Sequence, residues 1–305
     1  LVTADGDTLV DYSAGHISNE EATTLIEHVG QQLDPASVQF YPGKNYRHLV
    51  VFRDPALTDA LVQTQCHPPH DIMGWKISEH WPKGPASDRL VQMMEASRSV
   101  LSGHEINQVR IDLKENPGNL IWLWGQGKQS SLPTFKKTWG ITGSMISAVD
   151  LVRGAGLMAG LKVINVEGAT GFYDTNYAGK AQAALESLKK RDFVFVHVEA
   201  ADEAGHNGDL LQKVTAIENF DKHIAGMIWK KFKTLKEVRI LCIPDHATPV
   251  EKRTHTAEPV PFLIVGKGIQ PDGVQRYGES AARENNWVKE NAHELLPELL
   301  SAASL

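Results

Sequence analysis

Residues 193–206 read FVFVHVEAADEAGH. Phe193 to Val198 is a short apolar run of the kind that forms a buried strand. Glu199, Asp202, Glu203 and His206 follow it directly. In an open parallel sheet, ligands bind beyond the carboxyl ends of the strands, so chemistry is expected at this point of the chain. A second apolar run, RILCI, is followed by Pro244-Asp245-His246, and Thr254-His255-Thr256 lies just beyond. Two separate strands thus deliver Asp and His to one edge.

Working outward from this stretch, strands and helices alternate from about Gly140 onward, which implies crossover connections and a mostly parallel sheet. Met145 to Met158 reads as a helix and Lys162 to Val166 as a strand. Ala181, Ala184, Leu185 and Leu188 mark an amphipathic helix. Leu210, Val214, Ile217, Ile224 and Ile228 mark a long one. Val238 to Ile243 and Pro261 to Val265 read as two further buried strands. Glu290 to Leu300 reads as a terminal helix whose last turn Pro297 disfavours.

The chain ahead of this region has a different texture, that of a small α+β unit. Ser18 and Glu21 form a capping box, and Ala22, Leu25, Ile26, Val29 and Leu33 recur behind it with helical spacing. Val38–Tyr41 and Tyr46–Phe52 flank the turn Pro42-Gly43-Lys44-Asn45, a hairpin signal. Leu90, Met94, Ser97 and Leu101 place a helix over 88–101, and the apolar run Asn119 to Trp124 reads as a third strand. The division falls near Leu132-Pro133, giving an α+β domain over 1–132 and an α/β domain over 133–305.

Composition bounds the function classes. The chain has 305 residues, 42% hydrophobic and 22% charged, enough to bury a sizeable core. A formal net charge of −6 offers no excess of Lys and Arg to neutralise phosphates, which argues against nucleic-acid binding. Nothing resembles a membrane span. Cys66 and Cys242 are no disulfide framework, and a reducing, cytoplasmic setting is the simpler reading.

Carboxylate oxygen with imidazole nitrogen is the ligand mix of Zn²⁺, Mn²⁺ or a similar divalent ion. Asp202 and His206 are four apart, so one helical turn brings both to one point. Asp245 and His246 are adjacent, and at a strand exit a bent backbone lets them serve one metal or two. The competing reading of each motif is ordinary: Asp-x-x-x-His arises by chance, Asp245 suits a turn or a cap, and His255 alone suits a solvated surface. The combination is stronger than its parts, because all three clusters fall where the fold rule places a site.

The tracts GATGFYDTNYAGKAQAALESL, FVFVHVEAADEAGHNGD, PDHATP and THTAEPVPF resemble the archaeal-type cofactor-independent phosphoglycerate mutases, of the alkaline phosphatase superfamily. VDYSAGHISNEEA, YRHLVVF, CHPPHDI and NPGNLIWLWGQG resemble the domain inserted in the same family. The resemblance covers essentially the whole chain. It implies an alkaline-phosphatase-like core, a mostly parallel sheet flanked by helices, and a smaller inserted α+β cap over 1–132. It also implies two divalent metal ions. Asp202, His206 and His255 would hold one, and Asp245 and His246 the other. Mn²⁺ or Mg²⁺ suits phosphoryl oxygens, while the histidines would also accept Zn²⁺.

In that family an Asp and a nucleophilic serine from a segment ahead of the inserted domain complete the second site. The chain opens on Leu1, inside the inserted domain, so the expectation is a fragment or clipped product without that segment. Thr248, the nearest hydroxyl to His246, is read as capping a turn, and Ser144 as opening a helix. The implied activity is interconversion of 3- and 2-phosphoglycerate through a phosphoserine, independent of 2,3-bisphosphoglycerate, with a small phosphorylated hydroxy acid as the partner molecule.

Substrate contacts fall to Arg47, His48, Arg153 and Lys180, and proton transfer or glycerate contacts to His70 and Asp71. Against this, Arg47 suits a cross-strand ion pair and Arg153 a solvated face. Lys180 sits at a helix start, an unhelpful place for a purely structural cation. Asp174 is read as the cap of that helix, and Asn176 is left open. Gly125, Gly127, Gly154 and Gly156 read as turn and close-packing positions. A homoserine-kinase-like phosphotransferase, a metal-dependent phosphatase and a non-catalytic remnant are the alternatives. ATP dependence, phosphate release and the absence of turnover would tell them apart.

Overall fold

The computed structural model describes residues 1–34, 36–233, 237–285 and 287–300, and the chain divides into two compact units, Leu1–Ser130 and Ser131–Leu305. Each has its own hydrophobic core.

In the first unit, β1 (Thr3–Asp5) and β2 (Thr8–Asp11) pair antiparallel, and α1 (Asn19–Gln32) follows. The predicted capping box is complete: the Glu21 amide donates to Ser18 Oγ, and the Ser18 amide to the Glu21 carboxylate. This satisfies two of the donors a helix start leaves orphaned. Ala22, Leu25, Ile26 and Val29 then turn to the core. Burying a side chain such as Leu25 stabilises the unit by roughly 1.5–3 kcal/mol.

β3 (Val38–Tyr41) and β4 (Leu49–Phe52) form the predicted hairpin, Val38 opposite Phe52 and Tyr41 opposite Leu49. α2 (Pro55–Gln63), α3 (Ser87–Ser102) and α4 (Glu105–Asp112) complete the unit. Asn119–Trp124 is not a strand. Leu120 makes one isolated bridge to Val2. Side chains take the other ladder positions: Asn119 pairs both ways with the Ala4 backbone, at 2.8 and 2.9 Å, and the Ile121 amide donates to Ser97 Oγ at 3.0 Å.

The second unit opens with α5 (Phe135–Trp139) and β5 (Gly143–Ile146). The helix expected from Met145 starts only at Asp150, as α6 (Asp150–Met158). Residues 143–146 are instead the fully buried centre of a parallel sheet in the order β6 (Lys162–Val163), β5, β7 (Phe193–Val196). A strand apolar on both faces lacks the alternation that distinguishes it from a buried helix. Ser144 accordingly does not open a helix; it is buried and shares a hydrogen bond with Ser187 at 2.6 Å.

α7 (Tyr177–Ser187) is capped by Asn176, whose Oδ1 accepts from the Gly179 amide at 2.8 Å. Asp174, the expected cap, accepts from Thr170 instead. α8 (Ala200–His206) leads to α9 (Leu210–Phe220), which continues through a π turn at Asp221–Ala225 into α10 (Gly226–Phe232). β8 (Arg239–Cys242) and β9 (Leu263–Gly266) pair antiparallel as their own sheet, correcting the parallel, buried pair expected. A parallel return needs a crossover, and loop 243–262 contains no helix. Of the two strands only Ile264 is buried. α11 (Glu279–Asn285) and α12 (Leu295–Leu300) end the unit. Pro297 lies in the first turn of α12, where its missing N–H costs little.

Candidate metal centre

The carboxyl end of β7 feeds straight into α8, and α8 carries Asp202 and His206 one turn apart. His206 Nε2 lies 3.3 Å from Asp202 Oδ2. Its other nitrogen, Nδ1, is 3.0 Å from the Arg253 carbonyl. A carbonyl only accepts, so Nδ1 carries the proton and Nε2 keeps its lone pair.

Loop 243–262 brings the remaining groups. His255 Nε2 is 3.0 Å from His206 Nε2 and 3.4 Å from Asp202 Oδ1. The donor atoms of Asp202, His206 and His255 all lie within 4.8 Å of one another. The His246 ring stacks on the His255 ring at 3.7 Å between centroids. His246 Nε2 is 3.3 Å from Asp245 Oδ2, and its Nδ1 is 3.9 Å from Asp202 Oδ1. All five predicted metal residues therefore meet at one place.

The donor set fits a divalent cation. Two imidazole nitrogens and a carboxylate converge, and the nitrogens are within hydrogen-bond distance of each other, so a cation bound there would take the place of the proton between them. Glu199 reports the field there. Burial pushes its carboxyl above the usual range, and the neighbouring charges of Asp202, Glu203 and Asp245 push it further.

Behind the cluster lies His197, which sequence reasoning missed, together with the predicted Lys180 and Arg153. His197 follows β7, and its Nε2 is 3.4 Å from Glu199 Oε2. Its Nδ1 is 3.2 Å from Ser147 Oγ, and its carbonyl accepts from Lys180 Nζ at 3.2 Å. Burial pushes the His197 imidazole down. The one available signal was a histidine closing an otherwise apolar strand. Lys180 is 1% exposed, the largest fully buried side chain of the described residues. Burial lowers its ammonium pKa and Glu199 opposes that shift. Arg153 is not simply solvated: it donates to the Ser147 carbonyl at 3.4 Å and to Asn165 Oδ1 at 2.8 Å. Thr248 does not cap a turn. Its hydroxyl contacts Asp202 and His246.

In the first unit, His70 and Asp71 occupy a 3₁₀ turn, Pro69–Asp71, with 3.6 Å between His70 Nε2 and Asp71 Oδ1. The His70 ring is flanked edge-on by Trp124 and Tyr12, at 5.5 and 6.2 Å between centroids. Tyr12 meets Tyr46, and the Arg47 guanidinium sits 5.1 Å from the centre of the Tyr46 ring. Arg47 is thus a cation–π partner, joined to His70 by a run of aromatic rings. His48 closes the hairpin turn: Nδ1 accepts from the Gly43 amide at 3.2 Å, and burial pushes the imidazole down to about 3, so it is neutral.

Comparison with known proteins shows what the chain as a whole is similar to. The profile of the metalloenzyme superfamily matches residues 14–294. A probable 2,3-bisphosphoglycerate-independent phosphoglycerate mutase of Geobacter sulfurreducens is 47% identical over 291 residues, which is 95% of this chain and 72% of that protein. A 2,3-bisphosphoglycerate-independent phosphoglycerate mutase of Methanosarcina acetivorans is 45% identical over 298 residues, 97% of this chain and 74% of that protein. Among solved structures, the PH0037 protein of Pyrococcus horikoshii superimposes with a TM-score of 0.77 at 25% identity, covering 98% of this chain and 71% of that one.

Proposed function

The chain belongs to the metalloenzyme superfamily, among the 2,3-bisphosphoglycerate-independent phosphoglycerate mutases, and from that membership we propose how its residues serve the interconversion of 3- and 2-phosphoglycerate. The observation that carries the reading is the convergence of Asp202, His206 and His255 at the mouth of the parallel sheet. Asp202, His206 and His255 hold one divalent ion, and Asp245 and His246 contribute to a second; Mn²⁺ or Mg²⁺ is the assignment, with Zn²⁺ able to substitute. Such ions, when bound, neutralise phosphoryl oxygens and lower the pKa of an attacking hydroxyl.

The chain's own residues do the rest. Lys180 and Arg153 supply cationic donors for phosphoryl oxygens or the substrate carboxylate. Lys180 is suited to this because its ammonium is held by the His197 carbonyl and has little water to lose. His70 and Asp71 hold or move a proton on glycerate, and Arg47 and His48 of the same unit supply substrate contacts. Moving a phosphoryl group between hydroxyls requires that water be kept out, or the reaction ends as hydrolysis. We assign that duty to 1–132 as an inserted cap and the metal chemistry to 133–305 as the core. No helix among the described residues is long and apolar enough to cross a membrane. Unpaired Cys66 and Cys242 fit a cytoplasmic setting.

The test is an enolase-coupled assay with 3-phosphoglycerate and Mn²⁺, without bisphosphoglycerate, on the complete gene product including any segment that precedes Leu1. The expected result is turnover that a chelator abolishes and Mn²⁺ restores. Turnover only with ATP and homoserine, or release of inorganic phosphate alone, would overturn the reading.

A further inference from the structure

Thr248 lies in loop 243–262, yet it is 4% exposed, and its position rests on three contacts with the helical segment that follows β7. Its carbonyl accepts from Lys213 Nζ of α9 at 2.7 Å. That carbonyl also sits directly over Gly205 of α8, where a Cβ would come within 2.3 Å of it, so only glycine permits the approach. Its hydroxyl makes a short hydrogen bond to Asp202 Oδ1. One residue beforehand, Ala247 bridges to Thr256, which fixes the neighbouring His255 relative to the same point.

We propose that Thr248 is a positioning residue that couples the two arms of the metal centre, orienting the Asp202 carboxylate and fixing the tautomer of His246 with one hydroxyl group. The argument is donor counting. A hydroxyl has one proton and two lone pairs, and an ionised carboxylate only accepts. The proton of Thr248 Oγ1 therefore goes to Asp202. His246 Nδ1, 3.2 Å from the same oxygen, must then be the donor in that contact. With its proton on Nδ1, His246 presents Nε2 as a lone pair on the side of Asp245, 3.3 Å from Oδ2. Were the tautomer reversed, Nδ1 and the hydroxyl oxygen would face each other as two acceptors, and Nε2 could not ligate. Asp202 belongs to one proposed ion and His246 to the other, so a single side chain sets a ligand of each.

This inference rests on the metal reading above, and the experiment separates the two. Mn²⁺ is titrated into the metal-free full chain, wild type, Thr248→Val and Thr248→Ser, by calorimetry. If Thr248 acts only by packing, the isosteric valine binds Mn²⁺ like wild type and the smaller serine is the poorer variant. If the hydroxyl orients ligands, the order reverses: valine weakens binding by roughly ten- to a hundredfold, and serine restores it to near wild type. Valine equal to wild type overturns the inference alone. A wild-type chain that takes up no Mn²⁺ overturns the metal reading and the inference together. Long-range ¹H–¹⁵N spectra of the wild-type apoprotein need no variant: His246 protonated on Nδ1 is expected, and protonation on Nε2 overturns the proposal even if the valine chain does not fold.

Discussion

Two polar networks, one buried in the first unit and one half-exposed in the second, show how differently polar side chains are used. In Leu1–Ser130, Arg110 donates to the carbonyls of Asn116, Ala14 and Gly15 and to both oxygens of Glu21. Asn107 likewise meets Leu101, Gly118 and the Gly118 amide. Donors there meet acceptors, and backbone closes every path; such a network is scaffold. Around Asp202 in the second unit, side chains of metal-ligand type gather instead: three imidazoles and two carboxylates converge, while Glu199 is pushed up by burial and by its charged neighbours. That network has the donor set of a cation site, and the difference separates a fold-holding cluster from a candidate site.

Mutation can break the comparison. The largest expected effect is on the site: Asp202→Ala or His206→Ala should remove bound metal and cost on the order of a thousandfold or more in turnover, without unfolding the chain. Metal analysis of the purified variant checks this, and unchanged stoichiometry would count against the assignment. Arg110→Met should do the reverse, costing about 3 kcal/mol in stability while leaving Mn²⁺ affinity of the folded fraction unchanged; urea unfolding and titration together measure both. Lys180→Met should lower kcat/KM on the order of tenfold to a hundredfold with metal content intact. Loss of metal along with activity would place Lys180 in the scaffold instead.

The smallest effect concerns pH. The folded carboxyl of Glu199 has a raised pKa. Its contribution to stability is fully present below the unfolded pKa and is lost as pH rises through the folded value. Metal-free Glu199→Gln should therefore melt higher than wild type at neutral pH, and the difference should shrink on acidification. A difference that does not change with pH would refute the link to this carboxyl.

What could be read in advance follows from how local each signal is. Ser18, Glu21 and the apolar face of α1 lie within a few residues of one another, and the reading matched the structure. Asp202 and His206 share a helical turn, so their convergence was visible as spacing. The Gly143–Ile146 strand was hidden because a centre buried on both sides has no period of two. Asn119–Trp124 misled because an apolar extended run does not reveal that side chains replace its ladder partners. Thr248 and Asp202 are 46 residues apart, and no local pattern announces a hydroxyl that reaches across such a distance. His197 hid at the end of an apolar run, its contact with Ser147 coming from a different strand exit.

Loop 243–262 is pinned to the helices beside it by Lys213, by the contact of His206 with the Arg253 carbonyl, and by its own Ala247–Thr256 bridge. None of these ties uses an ion. Amide exchange at Thr256 and Arg253 should accordingly stay slow in chelated protein, and a protease should find no new cutting point there. The ligands would wait in a preformed socket, so ions could come and go at rates set by the mouth of the site, with no refolding of the chain at each exchange.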